Sequence, residues 1–405
     1  MANVSSSNGL EKRPKLRFPG FDEPLVKFEI GNACEQLKET IDPRTTPTKF
    51  YAEYSMPAFD NNRKVARVQG KDMNSARKIM SKPCVLINKL NVRKKRIWLV
   101  EHPEKNAVSS TEFVPLTSTM MSLGYLNYVA LTDRFTNYML NCSSGSSNSQ
   151  KRVTPDDIMD YVITVPSLLE QERVASFLET IDAKIQAQQD LIELLKKYKR
   201  GAVRHLLSPK SCPLKNARWT TAKLGELGSF VKGAPLSKAD ISEDGTPFIL
   251  YGELYTTYNE VVTSVKRRTQ AQVDELFLSR VGDVVIPTSG ETSEEISTAS
   301  CVMLPGVILA GDLNIFRSDK VDGRIMSYLL NHVVNAKIAR IAQGKSVVHI
   351  QASELGKLTL SYPDENTQKK LIDFLSKFDD KIVIEENALT FLTGLKEGLM
   401  QQLFI

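Results

Sequence analysis

The sequence repeats itself. Displacing it by 197 positions brings a segment starting at Val153 into register with one starting at Ile350, without gaps. Identical pairs include Pro166/Pro363, Gln171/Gln368, Phe177/Phe374, Leu178/Leu375, Asp182/Asp379, Lys184/Lys381, Ile185/Ile382, Leu195/Leu392, Lys199/Lys396, Gly201/Gly398 and Leu206/Leu403. The same offset aligns Glu29 and Gly31 with Glu226 and Gly228, near the start of each half. Agreement in register at both ends of a half means tandem duplication: variable segment, helix, variable segment, helix. A chain of 405 residues built this way has room for two to three domains.

Each repeated segment has the same local grammar. A short apolar run, Val162 to Val165 or Leu358 to Tyr362, is a strand ending at Pro166 or Pro363, where the fixed φ and missing N–H stop it. Ser167 with Glu170 three residues on has capping-box spacing, and Asp364 takes the capping position in the second copy. A long amphipathic helix follows. Its apolar series is Val174, Phe177, Ile181, Ile185, Ile192, Leu195 and Tyr198 in the first copy. In the second it is Leu371, Phe374, Phe378, Ile382, Leu389, Leu392 and Leu399. Steps of three, four and seven make a coiled-coil seam, interrupted in both copies by a polar residue, Gln188 or Glu385. About 40 residues at 1.5 Å per residue give a helix of roughly 60 Å, too long for a small domain to cover. Two related copies in one chain pair most simply antiparallel.

The variable segments read as mixed α/β. Val85 to Ile87, Ile97 to Val100 and Val284 to Ile286 look like buried strands, with turn chemistry at Gly282-Asp283 and at Thr288 to Gly290. Met326 to Ile341 reads as one helix, Ser143 to Ser149 as a loop, and Cys212 to Trp219 as the linker between halves.

Charge is uneven. Lys and Arg total 53 against 47 Asp and Glu, yet the first 165 residues alone carry a net +7. Between Arg63 and Arg96 twelve basic residues face only Asp72. Such a cluster repels itself unless solvent or a polyanion screens it, which points to a phosphate-binding face.

Several chemistries find no support. Gly344-Lys345-Ser346 resembles the end of a phosphate-binding loop, but Ala339 stands where the earlier glycine is needed. Asp156 with Asp182 and Lys184 resembles a nuclease pattern, but the last two fall on the long helix and read as its surface. The four histidines lack metal-ligand spacing, and five scattered cysteines read as reduced thiols of a cytoplasmic protein. No long apolar stretch argues for a membrane span, and Met1 to Phe18 is too polar for a signal peptide. These absences favour a binding protein over a complete enzyme.

The repeated pattern Pro-x4-Gln-x5-Phe-Leu-x3-Asp-x-Lys-Ile with a later Lys-x-Gly, at Pro166–Gly201 and again at Pro363–Gly398, resembles the specificity subunits of Type I restriction–modification systems. The opening RPKLRFPGF from Arg13 and the stretch GDVVIPTSGE from Gly282 are similar to that family too. The resemblance implies a mixed α/β (α+β) fold. Two globular target recognition domains would be separated by two long antiparallel coiled-coil helices, as a pseudo-two-fold tandem repeat. The boundaries expected are 1–165 and 209–363 for the recognition domains, and 166–208 and 364–405 for the helices. Each domain would read one half of a split double-stranded DNA target, and the helices would set the spacer. Two methyltransferase (modification) subunits would dock, with motor–nuclease (restriction) subunits joining for cleavage. S-adenosylmethionine, ATP and Mg²⁺ would belong to those partners; this chain would carry no cofactor, metal or catalytic residue, and no membrane partner. Other readings are a specificity module of a different phage-defence complex, or a coiled-coil adaptor without a DNA role.

For DNA contact the candidates are Lys89, Arg93, Lys94, Lys95 and Arg96, flanking an apparent hairpin, then Arg63, Lys64 and Arg67. In the second domain they are the triplet Lys266, Arg267 and Arg268, with Thr288, Ser289 and Lys345 on expected loops. For partner docking they are Gln171, Phe177, Gln368 and Phe374, with the phenylalanines equally placed to be helix–helix core.

Overall fold

Both expected long helices form, each 39 residues, Leu168–Leu206 and Glu365–Leu403. The computed structural model describes residues 14–145, 150–342 and 348–404. Asp364 caps the second helix, its carboxylate accepting from Thr367 N at 3.1 Å and Thr367 Oγ1 at 3.0 Å. The expected capping box at the first helix is not made. Glu170 is buried and its carboxylate takes a bidentate pair from Arg17, at 3.1 and 2.6 Å. A guanidinium fork outcompetes a single backbone N–H for a carboxylate.

The chain divides into two compact units, Met1–Gln189 with Ala388–Ile405, and Asp190–Asn387. Each unit therefore holds one variable segment and half of each long helix.

In the first unit the strands Glu35–Gln36, Phe113–Thr117, Cys84–Asn88 and Ile97–Val100 form an antiparallel sheet in that order. Every residue of Cys84–Asn88 is buried, because both faces of the strand are covered. On one face Val85, Ile87, Val114 and Leu116 pack with the helix Leu123–Leu131 and with Val174, Leu178 and Ile181 of the first long helix. On the other, Leu86, Trp98 and Phe113 pack with Ala52 and Tyr54 of a second, five-stranded sheet. The strand Val162–Val165 pairs antiparallel with Val26–Glu29 just before the long helix starts.

The second unit repeats the plan. Ser229–Lys232, Leu313–Arg317, Asp283–Pro287, Ser300–Val302 and Val261–Val262 make a five-stranded sheet. It is backed by Gly323–His332 and by Leu371, Ile372 and Leu375 of the second long helix. Thr359–Pro363 pairs with Trp219–Lys223, as Val162–Val165 does with Val26–Glu29. The expected single helix from Met326 to Ile341 is two, Gly323–His332 and Asn335–Ile341, broken at Val333 and Val334. The expected turn at Thr288 to Gly290 is a ladder: Ser289 and Gly290 pair with His349 and Val348. The turn at Gly282 is real, with φ of +94°.

The buried stripe of each long helix keeps much of the expected series but takes Leu178 and Leu375 in place of the adjacent Phe177 and Phe374. Its buried positions are Val174, Leu178, Ile181 and Ile192 on the first helix and Leu371, Leu375 and Ile382 on the second. Leu178 and Leu375 are fully buried, worth ~1.5–3 kcal/mol each. Phe177, Phe374 and Tyr198 remain 36%, 46% and 64% exposed, so they are not core. Phe177 meets Phe18 edge-on at 5.5 Å, and Phe378 meets Phe374 edge-on at 5.3 Å and Tyr198 at a tilt at 5.6 Å.

Candidate nucleic-acid interface and its internal clamps

The basic hairpin of the first unit joins Cys84–Asn88 to Ile97–Val100. Its tip is held by backbone and amide bonds. Asn91, at φ of +54°, donates to Lys151 O at 2.8 Å, and Asn88 Nδ2 donates to Leu90 O at 2.9 Å. Lys89 is half-buried at its root, with its N–H on Glu112 O. Arg93 and Lys94 are exposed and make no side-chain bond among the described residues. Lys95 pairs with Asp133 at 2.6 Å. Arg96 departs from the expectation of a DNA contact. It is 8% exposed and forks onto Asp60 at 2.8 and 2.6 Å. That hydrogen bond holds the Asp60 carboxyl below its ordinary range.

The Arg96–Asp60 pair brings the 60–67 turn beside the hairpin. There Arg63, at φ of +55°, lies over the Phe59 ring, Lys64 is exposed, and Arg67 makes a long 3.4 Å pair with Glu104. The structure thus leaves Arg93, Lys94, Arg63 and Lys64 exposed on two segments joined by the Arg96–Asp60 pair, and withdraws Arg96 into that pair.

In the second unit Lys266 and Arg268 are exposed, and Arg268 Nη1 donates to Gly245 O at 2.8 Å. Arg267 is tied to the buried Glu253 at 2.7 Å. Thr288 is half-buried, its N–H and carbonyl bonded to Asp312 and Ile350. Ser289 is buried and donates to Asp312 Oδ2 at 2.9 Å, so its hydroxyl is used inside the fold and not offered to DNA. Lys345 lies outside the described residues.

Gln171 and Gln368 also depart from expectation: both are buried, not exposed docking positions. Gln171 Nε2 donates to Pro166 O at 2.9 Å, and its Oε1 accepts from Ser122 N at 3.1 Å. Gln368 does the same with Pro363 O at 2.8 Å and Asp322 N at 2.8 Å. Each glutamine ties the end of a strand and the start of a backing helix to a long helix. Phe177 and Phe374 do stand at the surface.

A second clamp escapes sequence reading. In the first unit Asp182 accepts from Tyr128 OH at 2.9 Å and pairs with Lys396 at 2.5 Å, and Lys396 lies over the Tyr128 ring. Asp182 is thus a ligand of its own fold and not plain helix surface. In the second unit Asp379 accepts from Tyr328 OH and from Lys199, which lies over the Tyr328 ring. Lys199 also reaches Glu260 at 2.6 Å, and Glu260 meets His332 at 2.5 Å. Burial pushes the Glu260 carboxyl up, but the His332 bond and the Lys199 charge outweigh it and bring it to about 2. Burial dominates at Asp379 and raises it, and both tyrosine hydroxyls are raised by burial and by the facing carboxylate. The aspartates and lysines appear as matched pairs at offset 197, but Tyr128 and Tyr328 are 200 apart, so an ungapped repeat hides them.

Among the described residues no His/Cys/Asp/Glu group is arranged to hold a metal, and no helix is long and apolar enough to cross a membrane.

Comparison with known proteins gives a consistent picture. Residues 216–393 match the model of the Type I restriction modification DNA specificity domain. A curated relative, the Type I restriction enzyme MjaVIII specificity subunit of Methanocaldococcus jannaschii, is 22% identical over 316 residues, 71% of this chain and 73% of its own. Among solved structures, the Type I restriction–modification S subunit from M. genitalium superposes with a TM-score of 0.60 at 15% identity, covering 97% of this chain and 99% of that one. A chain from a structure on the assembly and conformational transition of the type I R-M system also scores 0.60, at 17% identity, covering 95% of this chain and 98% of its own. Residues 216–393 thus match a Type I restriction modification DNA specificity domain, and with the internal repeat extending the same construction to the first half, the chain is similar over most of its length to Type I specificity subunits.

Proposed function

We propose that this chain selects the DNA sequence on which a Type I restriction–modification complex acts, each variable segment reading one half of a bipartite target. The observation that carries this is the doubled unit: two sheet-and-helix domains, each locked to the long helices by the same glutamine and aspartate clamps, each leaving cations exposed. A protein duplicated internally suits a two-part site, because half-site spacing mirrors domain spacing. On this reading the long helices set the unread spacer, and four added residues would move a domain by about 6 Å, close to two base pairs at ~3.4 Å each.

The chain's own share is recognition and positioning. The exposed rings of Phe177 and Phe374 suit docking of two modification subunits, whereas the buried glutamines do not. Those partners would bind S-adenosylmethionine and methylate an adenine taken out of the stack, so a separate clamp on the duplex is useful. Motor–nuclease subunits would bring ATP and Mg²⁺ for cleavage.

The test is the double substitution Arg93→Ala with Lys94→Ala, assayed with the methyltransferase subunits present. Affinity for target duplex should fall, and the slope of log K against log salt should flatten by about two, one for each phosphate no longer neutralised. Unchanged affinity and slope would remove the hairpin from the interface.

A further inference from the structure

The five-stranded sheet of the second unit carries a side chain that its packing does not explain. Asn314 sits in Leu313–Arg317, paired with Lys232 on one side and Ile286 on the other. It is 1% exposed, and its Nδ2 has no hydrogen-bond partner. The first unit shows what the fold requires there. Phe113–Thr117 makes the matching ladder, with Val114 opposite Ile87 as Asn314 is opposite Ile286. The register is confirmed four residues on. Ser118 and Ser318 each donate to a carbonyl, Ala33 O at 2.6 Å and Leu227 O at 2.7 Å, and each caps the turn that follows. Val114 is fully buried among apolar neighbours. An aliphatic side chain therefore satisfies this position, while an unpaired buried amide destabilises the fold.

Asn314 borders a groove of about 840 Å³ whose walls include Lys232, Thr288, Asp312 and Gln351. Two of its lining segments pack backbone to backbone. A Cβ on Gly233 would lie 2.7 Å from Gly311 O, and Gly311 itself has φ of +79°. Lys232 and Asp312 are exposed at its rim, so the walls are polar and of mixed charge. The amide is closed off in the free chain, so a ligand in the groove meets it only when the Asn314 side chain turns toward the groove, where it presents a donor and an acceptor side by side. A phosphate supplies acceptors only. A base edge supplies the complementary pair, and adenine N6 and N7 are the match for asparagine.

We infer that Asn314 is a specificity-determining residue of the second unit, hydrogen-bonding an adenine edge of duplex DNA lying along this groove. The inference rests on the DNA-reading function proposed above. It is tested by selecting bound sequences from a randomised duplex pool, using the chain assembled with its methyltransferase subunits, for the parent and for Asn314→Val.

The parent should enrich a bipartite motif. Asn314→Val, which installs the residue of the first unit, should keep that motif but lose discrimination at one A·T pair of one half-site, by about 5- to 150-fold. It should leave the salt slope unchanged. The same motif with undiminished discrimination at every position would overturn the inference. So would uniform weakening at all sequences with a shallower salt slope, which would mark a phosphate contact. Asn314→Asp keeps the side-chain shape while removing the amino group, and should move the preference away from adenine; an unmoved preference counts against Asn314 even where the valine variant folds poorly. A parent complex that enriches no motif takes down the DNA-reading function itself, a failure visible without any variant.

Discussion

The clamps of the two units share an aspartate, a lysine and a tyrosine, yet differ in depth. The Asp182–Lys396 pair has side chains 41% and 20% exposed. At the second clamp Lys199 is 6% exposed and serves two carboxylates, with His332 against the second. One repeated motif is thus a solvent-softened pair in one unit and a buried ion network in the other. The lesson is that a duplicated residue keeps its partner type while its energetic weight is reset by what packs over it. Burial raises both the cost of desolvation and the cost of losing a partner.

The largest expected effect follows directly. Lys199→Ala leaves Asp379 and Glu260 without their cation and should destabilise the second unit by about 3–5 kcal/mol. Lys396→Ala, at the wetter site, should cost about 1 kcal/mol or less. Denaturant unfolding of the two variants measures both, and equal losses would erase the distinction.

Acid titration sharpens it. Glu260 has a folded pKa of about 2, below its ordinary 4.5. A depressed carboxyl contributes stability that is complete above its unfolded pKa and is lost as pH falls through the folded one. That contribution, on the order of 3 kcal/mol, should disappear between about pH 4.5 and 2. Asp379, raised by burial, works the other way and partly offsets this loss. Glu260→Gln should therefore unfold with a shallower pH dependence than the parent over that window. Matching acid-unfolding curves would mean Glu260 carries no such linkage.

The glutamine clamps should show no such asymmetry. Gln171→Leu and Gln368→Leu each strand a buried backbone N–H and a carbonyl, and each should cost roughly 1–3 kcal/mol. Thermal unfolding that separated the two by more than that range would show the units diverge there as well.

Much of the architecture was legible because the repeat kept residues whose roles are backbone-specific. Pro166 and Pro363 mark strand ends, Asp364 caps, and Val162–Val165 and Ile97–Val100 are strands as read. What escaped depends on distant or neighbouring residues. Phe177 and Leu178 are adjacent and both apolar, so helical period alone does not decide which row is buried. Arg96 looked like one cation among twelve; only the fold brings Asp60, 36 positions away, against it. Ser289 carried turn chemistry but became a ladder residue because Val348 and His349 return beside it. Asn314 gave no signal, since one asparagine in an apolar strand stands out only when the sister strand shows valine.

The aspartate of each clamp comes from one long helix and the lysine from the other: Asp182 with Lys396, Asp379 with Lys199. A single repeat therefore encodes an acid and a base that never meet each other. Losing, copying or trading one repeat in inheritance leaves two open bonds, and only another repeat, fused or separate, can close them.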